Sequence, residues 1–113
     1  RTPACPFGFG HGYQSYPCMV KPDIVNLSNV KEINESRNDW MEHLQKNGVS
    51  TRPATHAVHM LSFYKNKYSI KPEDFPNAYI ANECSISLPL FHGIKESEQE
   101  YVIQNVLSAE NYL

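Results

Sequence analysis

The chain has 113 residues and a formal net charge of −2, with 10 basic and 12 acidic residues interspersed along it. This length fits a single domain with a buried core and is too short for a two-domain enzyme. The charges form no basic stripe of the kind that a phosphate backbone requires, so we expect no nucleic acid partner.

The longest apolar runs are only a few residues, too short to span a membrane, and the amino terminus lacks the charged and apolar regions of a signal peptide. We therefore expect a cytoplasmic protein that does not bind membranes. The cysteines Cys5, Cys18 and Cys84 are odd in number and form no CxxC pair. This spacing argues against a disulfide framework and against structural zinc, and it predicts reduced thiols, two of them buried.

Residues 1–12 have the composition of a linker or flexible tail, with two prolines and three alternating glycines among aromatic residues. The glycines match neither a dinucleotide fingerprint, which would need glycine where Tyr13 stands, nor a phosphate loop, which ends in Gly-Lys-Ser/Thr. The chain begins at Arg1 without a methionine, which suggests a piece of a longer protein.

Residues 13–21 alternate aromatic and β-favouring residues with polar ones, which predicts a first strand. Pro17 has no N–H to donate to a ladder, so this strand should lie at an edge or carry a bulge. Residues 22–29 are rich in turn formers and predict a connection.

The clearest helix is predicted over residues 34–47. Asn34 or Ser36 can cap its start, and Gly48 follows as a left-handed stop. Apolar side chains recur at helical spacing and predict a stripe that packs on the core. They are Ile33, Trp40, Met41 and Leu44.

The second half of the chain predicts shorter elements, separated by prolines, glycines and turn residues. In order, they are a strand at 49–52, a helix at 55–64 capped by Thr55, a loop at 68–76, helical turns at 77–82, a strand at 85–90, a turn at 92–93 and a last helix opened by a Ser97–Glu100 capping box. The last helix has one apolar face, formed by Val102, Ile103, Val106 and Leu107.

Residues 50–65 mix polar and apolar side chains in a way that is typical of a pocket wall. His56 and His59 lie three apart, on one face of the predicted helix, but the segment supplies no third metal ligand and no nucleophile with an orienting group. Beside Arg52 they would suit an anionic or hydroxyl-rich ligand. The plain alternative is that one histidine is hydrogen-bonded in the core and the other is exposed.

Three segments together carry a resemblance to a known family. They are GYQSYPCMV, RNDWMEHLQKNGVSTRPATHAVHMLSFYKNKY and DFPNAYIANECSISLPLFHGIKESEQEYVIQNVL. In this order they resemble the carboxy-terminal part of the pyridoxal-phosphate-dependent sugar aminotransferases, the DegT/StrS group, from about Gly12 to Leu107. The resemblance implies an α+β fold, a small antiparallel sheet with helices packed on one face, as in the small domain of fold type I aminotransferases. Residues 13–113 would form this domain.

The resemblance also implies a function. Family members aminate a nucleotide-linked keto sugar with glutamate as donor, and their cofactor forms a Schiff base with a lysine of the large domain. None of the lysines here lies in that motif, so the resemblance implies no catalytic residue, no metal and no cofactor bound to this chain alone. Its partners would be the nucleotide sugar and either the missing large domain or a homo-oligomer.

Carried over by position, the resemblance implies a set of substrate-binding residues. Tyr13, Gln14, Ser15 and Tyr16 match the strand that approaches the sugar pocket. The turn and helix that close over the substrate are matched by Arg52, Thr55, His56 and His59. A second hypothesis stays open, in which the chain is a non-catalytic module that binds nucleotide sugars or assists the assembly of a full-length enzyme.

Overall fold

A two-stranded antiparallel sheet and four helices make up the fold in the computed structural model, which describes residues 1–109. This confirms the predicted α+β class. Two 3-10 turns occur at Val58–Met60 and Pro72–Asp74. In chain order the other elements are β1 (Tyr16–Met19), α1 (Val30–Lys46), α2 (Ser62–Tyr68), α3 (Pro76–Cys84), β2 (Ser85–Leu88) and α4 (Glu96–Leu107).

Both strands are shorter than the predicted ranges. The predicted first strand, 13–21, is limited to Tyr16–Met19, and both Tyr13 and Lys21 have a φ of 42°, in the left-handed region that interrupts extended backbone. β2 ends at Leu88 because Pro89 cannot donate to a ladder.

β2 is the central strand, and its register explains how Pro17 is tolerated. Pro17 lies opposite Ser87 in the β1–β2 pairing. The N–H of Ser87 donates to Arg52 O at 2.7 Å, and its carbonyl accepts from Arg52 N at 3.4 Å. Since Ser87 directs both groups away from β1, the missing N–H of Pro17 costs no ladder bond. The predicted strand at 49–52 is therefore only this isolated bridge at Arg52.

α1 begins at Val30, one turn before the predicted start, and shows no side-chain cap. Val30 and Ile33 are both buried in the core, which explains why the helix extends toward them. Asn34 is therefore internal, and its Nδ2 donates to the carbonyl of Glu83 at 2.7 Å. The predicted cap at Asn34 or Ser36 is wrong, and Asn34 instead ties α1 to α3.

The end of α1 matches the prediction. Gly48 has a φ of 74°, its N–H donates to Gln45 O at 3.0 Å, and the Val49 N–H donates to Leu44 O at 2.9 Å. This pair of bonds is a Schellman motif, which needs a left-handed residue after the cap. Val49 and Leu44 are both buried, so the same turn closes the core.

The core lies between α1, α3 and the sheet. Ile33, Trp40 and Leu44 are buried as predicted, whereas Met41 is only half-buried. Arg37 is also buried within this stripe, which the sequence interpretation missed. The buried apolar cluster consists of Val20, Val30, Ile33, Trp40, Leu44, Val49, Cys84, Ile86 and Ala109.

The helix predicted over residues 55–64 is wrong in position. Thr55 caps nothing, and α2 starts only at Ser62. Ala57 explains the difference, because its N–H donates to Asn82 Oδ1 at 2.9 Å and its backbone is extended. That bond holds the segment against α3 and leaves only a single 3-10 turn before Leu61, which is also extended.

α4 begins at Glu96, and the Glu98 carboxylate accepts the Lys95 N–H at 2.8 Å. The predicted Ser97–Glu100 capping box is therefore wrong by two residues. Val102 and Val106 pack against the core, but Ile103 and Leu107 are 50% and 58% exposed. Part of the predicted apolar face thus remains uncovered.

All three cysteines are unpaired. Cys5 is exposed, Cys18 is half-buried and Cys84 is fully buried, so one thiol is buried rather than the two predicted. Residues 1–12 contain no helix or strand. No helix in the described part of the chain is both long enough and apolar enough to cross a membrane.

Candidate functional site

A polar cleft opens where the Arg52 bridge meets the end of β2, with a volume of about 280 Å³. We call it the Arg52 cleft. Its position follows from the fold, because the Arg52–Ser87 backbone bonds join the segment after α1 to the central strand. The residues that line it are Gln14, Ser15, Ser50, Thr51, Arg52, Ser87 and residues 88–91.

The lining combines three serine hydroxyls, a threonine hydroxyl, one amide and one guanidinium, with no carboxylate, imidazole or amine. The Arg52 side chain is exposed, and no carboxylate within residues 1–109 forms an ion pair with it. A guanidinium beside hydroxyls can bind a phosphoryl group or sugar hydroxyls by charge-assisted hydrogen bonds. The cleft lining contains hydroxyls but no imidazole or carboxylate that could act as their base.

The predicted strand residues divide between two surfaces. Gln14 lines the Arg52 cleft, whereas Tyr13 and Tyr16 line a different groove beside α4. The Tyr13 ring packs on His11 at a centroid distance of 4.3 Å, and its N–H donates to His11 Nδ1 at 2.9 Å. Tyr16 is half-buried opposite Leu88 in the sheet.

We call this second surface the α4 groove. It has a volume of about 480 Å³ and is mainly apolar. Its lining consists of Thr2, Tyr13, Tyr16, residues 88–90, Gln99, Val102, Ile103, Val106 and Leu107.

The predicted histidines do not line the Arg52 cleft. Thr55 and His56 are exposed, whereas His59 is only 8% exposed and packs against Phe75 at a centroid distance of 5.1 Å. His59 Nε2 is buried and has no hydrogen-bond partner in the described part of the chain. The burial of His59 and the exposure of His56 match the plain alternative, but its hydrogen bond to the buried histidine is not found at Nε2 within residues 1–109. The structure does not bring Arg52 and His59 into one pocket.

Several site residues escaped the sequence interpretation. Ser50 and Thr51 lie within the predicted pocket wall but were not among the predicted site residues, and Ser87 carries no motif. Only the Arg52–Ser87 bridge brings them together. Asn82 holds the backbone at Ala57 from a distance of 25 positions, which no local pattern indicates.

Arg37 could have been found from the sequence, because it lies four residues after Ile33 and three before Trp40, on the buried face. It is 5% exposed, and its Nη1 donates to Ser85 O at 3.3 Å. Its Nε has no hydrogen-bond partner among the described residues. Burial lowers the pKa of Arg37, while the nearby Glu83 opposes that shift.

Cys18 and Cys84 are poor nucleophile candidates. Burial raises the pKa of Cys84 to about 11, and burial also raises the pKa of Cys18. Since the thiolate is the reactive form, both side chains are suited to packing rather than catalysis. Within residues 1–109, no three His, Cys, Asp or Glu side chains lie close enough together to hold a metal ion.

The sequence of the chain matches a known protein family. The sequence model described as the DegT/DnrJ/EryC1/StrS aminotransferase family matches residues 22–107. The chain belongs to this family.

The individual relatives that match are longer than this chain. An uncharacterised protein of Methanocaldococcus jannaschii is 26% identical over 105 residues, which cover 93% of this chain and 25% of that protein. This chain therefore spans about a quarter of the length of the curated relative that it matches.

Solved structures of a Streptococcus pneumoniae protein, assigned as a sugar aminotransferase, share the fold. The apo form superposes with a TM-score of 0.70 at 24% identity, and covers 87% of this chain and 22% of that one. The pyridoxamine phosphate form gives 0.69 at 26% identity, with 88% and 23% covered. The pyridoxal phosphate form gives 0.68 at 25% identity, also with 88% and 23% covered.

The Arg52 cleft does not fit pyridoxal phosphate as its attachment site. A Schiff base needs a lysine amine, and no lysine lines the Arg52 cleft or the α4 groove. Neither surface therefore supplies the amine that would hold this cofactor.

Proposed function

We propose that this chain is the carboxy-terminal, substrate-side domain of a cytoplasmic pyridoxal-phosphate-dependent nucleotide-sugar aminotransferase. The complete enzyme would aminate a keto sugar with glutamate as donor. Family membership and the relative seen in pyridoxal phosphate and pyridoxamine phosphate forms support this proposal. The observation that carries it is the Arg52 cleft, whose guanidinium and hydroxyls suit a phosphorylated sugar.

The proposed roles follow from the cleft lining. Arg52 would bind a phosphoryl oxygen of the nucleotide, because a guanidinium forks onto such oxygens. Gln14, Ser50 and Thr51 would bind sugar hydroxyls, since amides and hydroxyls both donate and accept. The cleft would orient the substrate, while the Schiff-base lysine and the proton transfers would belong to a large domain outside this chain.

Five predicted residues lie away from the cleft. Tyr13 and Tyr16 would reach only the part of a substrate that extends toward the α4 groove. Thr55 and His56 are exposed, and they would meet substrate only when a large domain or a second subunit covers this face. The buried Nε2 of His59, without a partner in the described chain, would gain one in the same way.

Titration with UDP-glucose, followed by chemical shifts of the backbone amides, tests the binding role. We expect shifts at Ser50, Thr51 and Ser87, and at least tenfold weaker binding for Arg52→Gln, because a charge-assisted hydrogen bond contributes about 1.5–3 kcal/mol. Lys31→Gln, an exposed charge on α1, is the matched control and should bind normally. Equal affinity of Arg52→Gln and the unaltered chain would refute the role of Arg52.

A chimera tests the enzymatic role. This chain replaces the superposed segment of the streptococcal relative, and conversion of the cofactor by glutamate is followed by absorbance. We expect the chimera to respond to glutamate, and Arg52→Gln to raise KM for the keto sugar without changing the response to glutamate. An Arg52→Gln chimera with an unchanged sugar KM would count against this assignment.

The second candidate is a non-catalytic module that binds nucleotide sugars or assists assembly. The Arg52 cleft is lined by a guanidinium and hydroxyls without a pairing of nucleophile and base, and this observation favours binding over catalysis. UDP-glucose binding by the chain, together with a chimera that never responds to glutamate, would select the module over the enzyme domain.

A further inference from the structure

The turn that ends α1 places Asn47 directly before Gly48, and this is the only Asn-Gly pair in the sequence. In such a pair the backbone nitrogen of glycine can attack the side-chain amide of asparagine, because no Cβ shields that nitrogen. Asparagine counts among the thermolabile residues of proteins. The pair is therefore a candidate site for covalent modification without an enzyme.

Three hydrogen bonds hold the groups that would react. The carbonyl oxygen of Asn47 accepts from the Tyr101 hydroxyl at 2.9 Å, and the Gly48 N–H donates to Gln45 O at 3.0 Å. These two bonds fix one peptide plane at both ends, because its C=O and N–H belong to a single rigid unit. The third bond runs from Asn47 Nδ2 to His43 O at 2.9 Å and fixes the side-chain amide.

The backbone conformation of Asn47 keeps the reacting atoms apart. Its φ is −92° and its ψ is 16°, in the bridge region of backbone conformation. Ring closure needs the Gly48 nitrogen and the Asn47 Cβ on the same side of the Cα–C bond, which requires a strongly negative ψ outside the helical and extended regions. Attack also requires contact between that nitrogen and Asn47 Cγ, so the turn must open before the reaction can occur.

We propose that Asn47 is a site of spontaneous deamidation, and that opening of the turn at residues 45–48 sets its rate. Gly48 N loses its proton to the solvent and attacks Asn47 Cγ, and the Cγ–Nδ2 bond breaks as the leaving nitrogen takes up a proton from water and departs as ammonia. Water then hydrolyses the cyclic imide at one of its two carbonyl carbons, which leaves aspartate or isoaspartate at position 47. The reaction uses no residue of the Arg52 cleft and is independent of the proposed function.

Both products should weaken the turn. A carboxylate at position 47 cannot replace the amide that donates to His43 O, and it lies at the negative end of α1. Isoaspartate also inserts a methylene group into the main chain before Gly48, which breaks the spacing of the Schellman bonds. Because the ammonia is lost to the solvent, the modified chain accumulates with time.

Peptide mapping by mass spectrometry at mildly alkaline pH tests the site. In urea that unfolds the chain, we expect Asn47 to deamidate faster than every other asparagine. In the folded chain its rate should be about tenfold lower or less, because the turn closes part of the core around Leu44 and Val49 and opens rarely. Asn47→Gln is the control that should give no isoaspartate at this position. Equal rates in the folded and unfolded chains, or no faster reaction at Asn47 in urea, would overturn the proposal.

Tyr101→Phe tests the role of the turn, because it removes only the hydroxyl that holds the Asn47 carbonyl. Deamidation of the folded chain should become about two- to tenfold faster, the range that one hydrogen bond supplies. Tyr68→Phe, a change at an exposed tyrosine of α2, is the matched control and should leave the rate unchanged. In unfolding urea the two variants and the unaltered chain should react at the same rate, since the hydrogen bond is absent there.

Low concentrations of urea separate opening of the turn from global unfolding. Local opening exposes little surface, so the rate in the folded chain should stay nearly constant below the unfolding transition. A rate that follows the unfolded fraction, or a Tyr101→Phe variant that reacts no faster than the unaltered chain, would show that opening of the turn does not set the rate.

Discussion

Arg37 is the residue whose environment is least expected from its chemistry. Its guanidinium is buried among apolar neighbours of α1, donates to Ser85 O and contacts Met41 Sδ at 3.6 Å. No carboxylate in the described chain pairs with it. Because an unpaired buried charge is costly and the aliphatic stem still packs, the side chain can contribute more through its stem than through its charge.

Replacement of Arg37 should separate these contributions. Arg37→Met keeps the volume of the stem and removes the charge, so we expect a free energy of unfolding equal to, or about 1 kcal/mol above, that of the unaltered chain. Arg37→Ala leaves a cavity and should lower it by about 2–3 kcal/mol. Urea unfolding measures both values. A methionine variant as unstable as the alanine variant would mean that the guanidinium itself is required.

Cys84 shows how burial sets a titration. It is fully buried beside Arg37, yet burial outweighs that cation and raises the pKa of its thiol from 9.0 to about 11. A raised pKa means that the folded state holds the proton more tightly than the unfolded state. This stabilisation is fully present below about pH 9 and is lost as the pH rises toward 11.

The pH dependence of unfolding should therefore change when Cys84 is removed. Between about pH 9 and 11, the free energy of unfolding should fall more steeply for the unaltered chain than for Cys84→Ala. Urea titrations at several pH values provide the measurement. Because Cys18 and Tyr79 also have raised pKa values, the comparison is the difference between the two chains, and parallel curves would contradict the assignment.

At the scale of elements, the end of α1 fixes the entry to the Arg52 cleft. The Schellman bonds at Gly48 and Val49 reverse the chain, and Ser50, Thr51 and Arg52 follow within four residues of Gly48. A different turn here would displace the Arg52–Ser87 bridge, and the lining of the cleft would move with it. A Cβ at position 48 would contact nothing within 4 Å, so lack of space does not explain the glycine. Glycine is favoured there because the backbone φ is positive.

Gly48→Ala should lower the free energy of unfolding by about 1 kcal/mol, because alanine is strained at a φ of 74°. Gly10→Ala is the matched control, since Gly10 also has open space around its Cβ position and no positive φ. Thermal unfolding of the two variants side by side provides the comparison. A neutral Gly48→Ala would show that the turn relaxes into another conformation.

The whole molecule exposes more surface than its size requires. The accessible area is 7919 Å², against about 6,300 Å² for a folded monomer of this mass. The radius of gyration is 15.6 Å, against about 13 Å for a compact domain of this length. Apolar side chains of residues 1–12, α2 and α4 contribute to this exposed area, among them Phe7, Phe63 and Leu107.

Stability should therefore be uneven across the molecule. At low concentration, amides of α2 should exchange hydrogen at rates close to those of an unfolded peptide, while the buried part of α1 around Leu44 should exchange only with global unfolding. Hydrogen exchange measured by mass spectrometry gives both rates. Strong protection of α2 would show that the helix is stabilised by contacts within its own chain.

The sequence by itself determined the features that depend on local chemistry. Glycine at position 48 allows a left-handed stop, the apolar spacing of Ile33, Trp40 and Leu44 gives α1 a core-facing stripe, and proline at 89 ends β2. The family could also be identified, because its motifs are contiguous stretches of residues.

Only the tertiary structure decided which polar groups share a cleft. The Arg52–Ser87 bridge joins residues 35 positions apart, and the Asn82 bond to Ala57 moves the predicted helix to Ser62 and leaves His59 outside the Arg52 cleft. Such contacts depend on how distant segments pack, and local propensity does not encode that packing.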